Sequence, residues 1–389
     1  MGVVSGNASP WKIASGRLSQ LRRRRARPFT CTLLLASIAI LAAACGGGSN
    51  SSSADTGSET AEGVAASPDQ ETPPDWAAET AEPPPEVAVQ LGPGDSTAEL
   101  EGPLLIYVVP HEVPQGHAFL VAVDAPGAGF ASVAYGGQIF TLLREGDRLF
   151  AILAVEALAP PGPAPLVISV ADTEGRQTFR HETIVSVIDS AWGTEVVQLD
   201  ENNQALLDPD VIGEDVKIRE MVQRGLTPER HWSGLFDQPA TGVITSNFGL
   251  LRSYNFQQPT EYHSGLDFAG DNGDPVLAPN AGVVAWVGRT QRRGNSLIID
   301  HGGGVYSGYY HLSEVLVTED TVVTTGDPLG RIGATGLATG PHLHWEIVVH
   351  GIAVNPVQWI RDQEIPDPGA ELDPALAISV TQPEVGVGG

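Results

Sequence analysis

Lysine is almost missing from this chain: only Lys12 and Lys217 occur in 389 residues. Neither follows a glycine-rich loop, so a Walker-type phosphate cradle is excluded. Arginine does not make up the deficit. The two basic residue types together number 21 against 47 Asp and Glu, a formal net charge of −26. Seven of the 21 stand in the first 45 residues, which hold no acid, and none lies between Gly46 and Leu143. That balance argues against DNA or RNA as a partner, because phosphate binding needs clustered Lys and Arg. Cysteine is equally scarce, with only Cys31 and Cys45. Hydrophobic residues make up 42% of the chain, which is enough to bury cores, so global disorder is excluded. The length suits two or three domains of ~100–200 residues each.

The basic residues that do exist cluster where an export signal would need them. Residues 17–27 are basic, and Phe29–Ala44 form an apolar run of about 16 residues, short of the roughly 18–20 of a membrane span. A basic stretch followed by a short apolar one is the pattern of a secretory signal. The run ends in Leu41-Ala42-Ala43-Ala44-Cys45 before Gly46-Gly47-Gly48-Ser49, which resembles a bacterial lipobox, with leucine four rather than three residues ahead of the cysteine. The expectation is a signal peptide over 1–45 and lipid attachment at Cys45, with an uncleaved anchor or a plain secreted protein as alternatives. Lipid there would hold the protein on a bilayer, extracytoplasmic and facing the cell wall, without spanning it. Cys31 would leave with the signal, so no disulfide remains and stability must come from burial.

Residues 46–100 are rich in Gly, Ser, Pro, Ala, Glu and Asp. They lack the apolar area to offset ordering entropy, and an acidic, disordered tether is expected. From Pro103 to about Asp189 the pattern changes to short β-type runs: Leu104–Val109, His117–Asp124, Phe130–Tyr135, Gln138–Leu143, Leu149–Val155, Leu166–Ala171 and Arg180–Val187. Turn residues separate them, which predicts an antiparallel β-sandwich over 101–192 and resembles bacterial immunoglobulin-like modules. His111-Glu112 and His181-Glu182 lack a second histidine three residues beyond the glutamate, so neither opens a helical zinc motif. Asp208-Pro209-Asp210 and the apolar spacing from Val211 to Val222, with Gly225 after it, predict one helix in a linker over 193–240. The segment 363–389 is acidic and Pro/Gly-rich and is expected to be a disordered tail. The fold class is therefore mainly β: a sandwich, a short helical segment, and a second antiparallel all-β domain over 241–362.

That second domain holds the chemistry. Its motifs are His263-Ser264-Gly265-Leu266-Asp267, Tyr309-Tyr310-His311-Leu312-Ser313 and Gly340-Pro341-His342-Leu343-His344-Trp345-Glu346. In a strand, side chains alternate faces, so His342, His344 and Glu346 share one face while Leu343, Trp345 and Ile347 share the other. Two imidazoles and a carboxylate are good zinc ligands, and a catalytic zinc site takes three protein ligands and keeps one position open. Glu346 lies on the metal-facing side, where it either orients a ligand or is an ordinary strand carboxylate. Only one of Tyr309 and Tyr310 can share the His311 face. Arg252, Arg292 and Arg293 belong to loops that wall a groove, either contacting substrate carboxylates or simply solvated. His301 is expected to be structural, in a turn before Gly302, and His350 to lie on the surface.

Residues 242–360 resemble the lysostaphin/LytM-type zinc endopeptidases that cut peptidoglycan cross-links. The likeness runs in order through Ser246-Asn247-Phe248-Gly249, His263–Asp267, Asp274-Pro275-Val276, Gly294-Asn295-Ser296, Ile299-Asp300-His301-Gly302, Tyr310–Ser313, Thr339–His344 and Asn355-Pro356. It implies a zinc site made by His263, Asp267 and His344, with His311 and His342 as catalytic histidines that do not bind the metal. It also implies Zn2+ as cofactor, peptidoglycan as partner, and hydrolysis of a stem or cross-bridge peptide bond. Relatives that activate a cell-wall amidase instead have lost one or more of the five residues. All five are present here, and the amidase activator is the alternative reading.

Overall fold

In the computed structural model, residues 104–223, 227–360, 365 and 367–380 are described. The expected signal, Cys45 and the tether over 46–100 lie outside the described residues. Strands dominate, as the turn-punctuated apolar runs predict. The first nine are β1 (Leu104–Val109), β2 (Glu112–Pro114), β3 (Ala118–Asp124), β4 (Phe130–Tyr135), β5 (Gln138–Thr141), β6 (Leu143–Glu145), β7 (Arg148–Ala154), β8 (Gly162–Ala171) and β9 (Gln177–Ile188). They build two five-stranded sheets, ordered β24-β1-β3-β7-β6 and β2-β9-β8-β4-β5, where β24 (Ile378–Val380) returns from the far end of the chain. Phe119, Val121 and Val123 of one sheet meet Ala131, Val133, Leu166, Ile168 and Val185 of the other in a common core.

β3 and β7 read Ala-Phe-Leu-Val-Ala-Val and Leu-Phe-Ala-Ile-Leu-Ala, without the polar alternation of a half-buried strand, and both are buried on both faces. Their second face, with Leu120, Ala122, Phe150 and Ile152, joins a larger core containing Trp232, Phe236 and Trp359. The connection includes β10 (Thr194–Val197), the one-turn helix α1 (Glu201–Gln204) and α2 (Pro209–Gln223). Asp208 caps α2 by accepting from the Asp210 amide at 2.9 Å, with Pro209 in the first turn, as that sequence predicts. The connection is not wholly helical: β10 pairs in parallel with β12 (Leu251–Tyr254), because Thr-Glu-Val-Val finds a free strand edge there.

The remaining strands include β11 (Ile244–Ser246), β13 (Glu261–Tyr262), β14 (Leu266–Ala269), β15 (Pro275–Leu277), β16 (Gly282–Thr290), β17 (Gly294–Gly302), β18 (Val305–Leu312), β19 (Glu314–Val315), β20 (Val322–Val323), β21 (Pro328–Arg331), β22 (His342–Val349) and β23 (Ile352–Val354), followed by α3 (Val357–Ile360). The main sheet runs β11-β14-β22-β18-β17-β16-β20, with β23 beside β22. One face, with Leu266, Phe268, Leu297, Ile299, Tyr309, Leu343, Trp345 and Ile347, enters the large core. On the other face α2 docks Val222 against Ile298, Tyr306 and Val348.

Residues 367–380 differ from the expected disordered tail. β24 pairs with β1 through Leu104↔Val380 and Ile106↔Ile378, Leu372 is buried, and Asp367 bonds Arg230 at 2.9 Å. Composition counted the acids there but not the open edge of β1, whose backbone groups a passing segment satisfies regardless of side chain.

Candidate metal centre

Strand register assembles the site. β14 lies antiparallel to β22 with Asp267 opposite His344, and β22 lies against β18 with His344 opposite Tyr310. Alternation along β22 sends Leu343, Trp345 and Ile347 into the core and leaves His342, His344 and Glu346 on the opposite face. His263 precedes β14 and is pinned by its backbone, its amide donating to Leu250 and its carbonyl accepting from Gly249, each at 2.8 Å.

Three donor atoms converge. His263 Nε2 lies 2.9 Å from His344 Nδ1 and 3.0 Å from Asp267 Oδ1, and His344 Nδ1 lies 2.8 Å from the same oxygen. The far side of each imidazole fixes its tautomer. His263 Nδ1 lies 2.8 Å from the Asn247 carbonyl, and a carbonyl only accepts, so that nitrogen carries the proton and Nε2 presents a lone pair. His344 Nε2 similarly donates to Glu346 Oε1 at 3.1 Å and leaves Nδ1 free to ligate. Burial holds the His263 imidazole down to about 4 although Asp267 favours its charged form, so it is neutral near pH 7. Burial alone would raise the Asp267 carboxyl, but His263 and His344 overcome that and hold it well below the usual carboxylate range. Two imidazole nitrogens and one carboxylate oxygen within 4.8 Å of one another fit a divalent metal. Tetrahedral bonds of ~2.0–2.1 Å separate donors by about 3.3 Å, so the three atoms need open by only a few tenths of an ångström.

Two more histidines flank the donors. The His311 and His342 rings lie 4.8 Å apart, and the His311 and His344 rings 6.0 Å apart. His311 Nδ1 donates to the Thr335 carbonyl at 2.8 Å and His342 Nδ1 to the Gly340 carbonyl at 2.9 Å, so Nε2 is the ring nitrogen each has left for the groove. His342 Nε2 stands 3.9 Å from Asp267 Oδ1. His311 has a left-handed backbone, φ 61°, a costly conformation for a non-glycine residue and one often found at functional sites. Burial, reinforced by His342 and His344, lowers its pKa well below the ordinary histidine value. All five motif residues therefore line one open groove.

The surrounding residues resolve the open alternatives. Glu346 is fully buried and holds His344, so it is no ordinary strand carboxylate. Arg293 pairs with Glu346 at 2.6 Å and stacks on Tyr310, Arg292 pairs with Glu261, and Arg252 pairs with Glu195 at 2.7 Å. All three line the groove or its wall, but each is matched to an acid of this chain and is not simply solvated. Tyr310 lies beside His344 with its hydroxyl bonded to Glu346, whereas Tyr309 is in the core with its hydroxyl 2.9 Å from Ser307. His301 is structural, as expected, but within β17 and not a turn: Nδ1 lies 2.7 Å from the Ala281 carbonyl and Nε2 2.7 Å from Ser307. His350 is half-buried rather than an ordinary surface residue. Its ring packs 4.9 Å from Phe140 and over Gly304, because the sandwich covers it. Asn247, Glu195 and Arg219 were not predicted as site residues. Asn247 stands in the matched run Ser246–Gly249 but acts through its backbone carbonyl, which no side-chain motif marks, and Glu195 and Arg219 reach the site through the fold.

An all-β domain with a His-Asp-His donor set and two further imidazoles in an open groove has the arrangement of a metallopeptidase. Residues 261–356 match peptidase family M23, and the chain carries an M23 domain. The chain is 39% identical over 112 residues to the peptidoglycan DD-endopeptidase ShyA of Vibrio cholerae, covering 29% of this chain and 26% of that protein. It is 40% identical over 114 residues to the DD-carboxypeptidase/endopeptidase Mpg of Neisseria meningitidis, again covering 29% and 26%. The aligned part thus spans about a quarter of these curated relatives. A crystal structure of a Pseudomonas aeruginosa protein designated an M23 peptidase is 30% identical, covering 64% of this chain and 94% of that one, with a TM-score of 0.48.

Proposed function

We propose that this protein is a zinc-dependent endopeptidase that hydrolyses peptide bonds in the stem peptides or cross-bridges of peptidoglycan. The observation that carries the reading is the convergence of His263, Asp267 and His344 beside two imidazoles that both present Nε2. His263 Nε2, Asp267 Oδ1 and His344 Nδ1 would hold the metal. Zinc bound there supplies Lewis acidity, which eases water ionisation near neutral pH and favours a polarised carbonyl. His311 is kept neutral by burial and is suited to receive a proton from the attacking water at Nε2. The imidazolium so formed can return that proton to the departing amine nitrogen. His342 faces the same space from β22 and, when protonated at Nε2, donates to the developing oxyanion. Glu346 holds the His344 proton, and Tyr310 and Arg293 hold Glu346, so their polar groups serve the site from behind.

Peptidoglycan as the substrate is supported by the names of the M23 relatives, and zinc by the donor chemistry. Attachment to a bacterial membrane through acylated Cys45, facing the wall, remains supported by the sequence pattern of residues 17–49. The direct test is turnover of a purified cross-linked muropeptide. Activity should disappear with a chelator and return with zinc. A metal-loaded protein that leaves the muropeptide intact would favour the amidase activator.

A further inference from the structure

Two charged residues that precede the M23 match connect to the metal ligands through intermediate side chains, each to a different ligand set. The first is Glu195 of β10. Its carboxylate takes Arg252 Nη1 at 2.7 Å, while Nη2 of the same guanidinium lies 3.3 Å from Asp267 Oδ2. Ser246 Oγ donates to Glu195 Oε2 at 2.7 Å and sits 3.2 Å from His263 Nδ1. Arg252 thereby occupies the Asp267 oxygen that faces away from the two ligand imidazoles and leaves Oδ1 for the metal. The second is Arg219 of α2. Its Nη1 lies 3.3 Å from Glu346 Oε2, while Oε1 of the same carboxylate takes His344 Nε2 at 3.1 Å and Arg293 at 2.6 Å.

The orientation and basicity of a ligating imidazole depend on what its other nitrogen meets, and those of a ligating carboxylate on what its second oxygen meets. Glu346 is wholly buried, so its charge is tolerable only with cations beside it. One of the two is delivered by a helix that the apolar patch of Ile298, Tyr306 and Val348 holds in place through Val222. Arg252 likewise bridges two carboxylates, and losing Glu195 would leave it one partner fewer. We propose that Glu195 and Arg219 are positioning residues for the metal site, acting through Arg252 on Asp267 and through Glu346 on His344. Residues 194–223 are then part of the metal centre and not a passive connection. This rests on the metal-site reading above.

The test uses the whole chain and reads metal binding, not turnover. Zinc affinity is measured by competition with a chromophoric chelator, and the ligand field by the visible spectrum of the cobalt-loaded protein. The variants are Glu195→Gln, Arg219→Met, Arg219→Lys, the double variant Glu195→Gln/Arg219→Met, and Lys217→Met on the exposed side of α2 as control. Each of the Gln and Met single variants should bind zinc roughly tenfold more weakly, the low end of the ~10–100-fold loss for partners of ligands. The double variant should lose roughly a hundredfold, since the two residues act on different ligands. Arg219→Lys should recover part of the loss, and Lys217→Met should match the parent. The cobalt spectrum should shift in the Gln and Met variants while the metal-free melting temperature stays near the parent's. Parental zinc affinity in both single variants overturns the proposal. So does an affinity loss with an unchanged cobalt spectrum and a matching fall in metal-free melting, which marks a merely structural role. A parent protein that binds neither zinc nor cobalt overturns the metal-site reading along with it.

Discussion

His342 and His344 stand two residues apart on one strand face, yet their rings meet different partners. His344 Nδ1 touches both His263 and Asp267, whereas His342 comes no nearer than 3.9 Å to Asp267. His344→Ala should therefore lose the metal. His342→Ala and His311→Ala should keep it but lose two to four decades of turnover, the ~10²–10⁴-fold of a general acid–base group. Metal content by atomic spectroscopy beside muropeptide turnover checks this, and reversed metal contents would reverse the assignment. A chelator should lower the melting point of His342→Ala and leave His344→Ala unmoved, since metal bound only to the folded state stabilises it by mass action. His301 gives a separate pH prediction. Burial holds its imidazole down to about 4, with the Ala281 carbonyl opposing and His231 adding to the effect. Unfolded, it titrates near ~6.5, so between ~6.5 and about 4 only the unfolded chain takes up that proton. Stability is then lost as pH falls through this window, by up to about 1.4 kcal/mol per unit. His301→Asn should show a shallower fall than the parent when both are unfolded in chelator, and identical slopes would contradict the assignment. At this scale strand alternation places His342, His344 and Glu346 on one face, whereas the ligand set His263, Asp267 and His344 and the roles of His311 and His342 are what the resemblance of the surrounding motifs implies. The sequence put Asn247 in a matched run without a role, and it was silent on Glu195 and Arg219, because contacts between distant segments leave no local pattern.

Among the elements, the runs that read as strands became strands where apolar residues repeat, from Leu104–Val109 to Gln177–Ile188. The elements that escaped notice are held by backbone pairing. β2 borrows the edge of β9, β10 that of β12, and β24 that of β1. Their side chains carry little periodicity, so nothing in composition separates them from loops. The C-terminal segment gives the clearest consequence. Leu372 is 5% exposed, Arg148 donates to the Pro368 and Ala370 carbonyls at 3.0 and 2.6 Å, and Asp367 holds Arg230. Ending the chain at residue 366 should destabilise it by at least the ~1.5–3 kcal/mol of one buried apolar side chain. Chemical denaturation checks this, and an unchanged midpoint would restore the picture of a loose tail.

For the whole molecule, the sandwich and the M23 domain do not face each other across water. Tyr107, Leu120 and Phe150 share a core with Trp232, Phe236, Phe248 and Trp359, and the Gln358 amide exchanges hydrogen bonds with the Ala118 backbone at 2.9 and 2.8 Å. The unbroken apolar runs of β3 and β7 fit burial on both faces, but from sequence they read only as sandwich strands, because such runs do not name the second partner. Membrane attachment belongs to this scale as well. If Cys45 carries lipid, Cys45→Ser should abolish labelling by a fatty-acid probe and leave the signal uncleaved, whereas unchanged labelling would remove the anchor from the account. The central claim, that five side chains in one groove make a zinc peptidase of the cell wall, is tested most directly by mass spectrometry of purified sacculi digested with the metal-loaded protein. The account predicts new peptide termini at stem or cross-bridge bonds, absent with chelator and absent with His342→Ala. Sacculi returned without new termini by a protein that holds its zinc would contradict it.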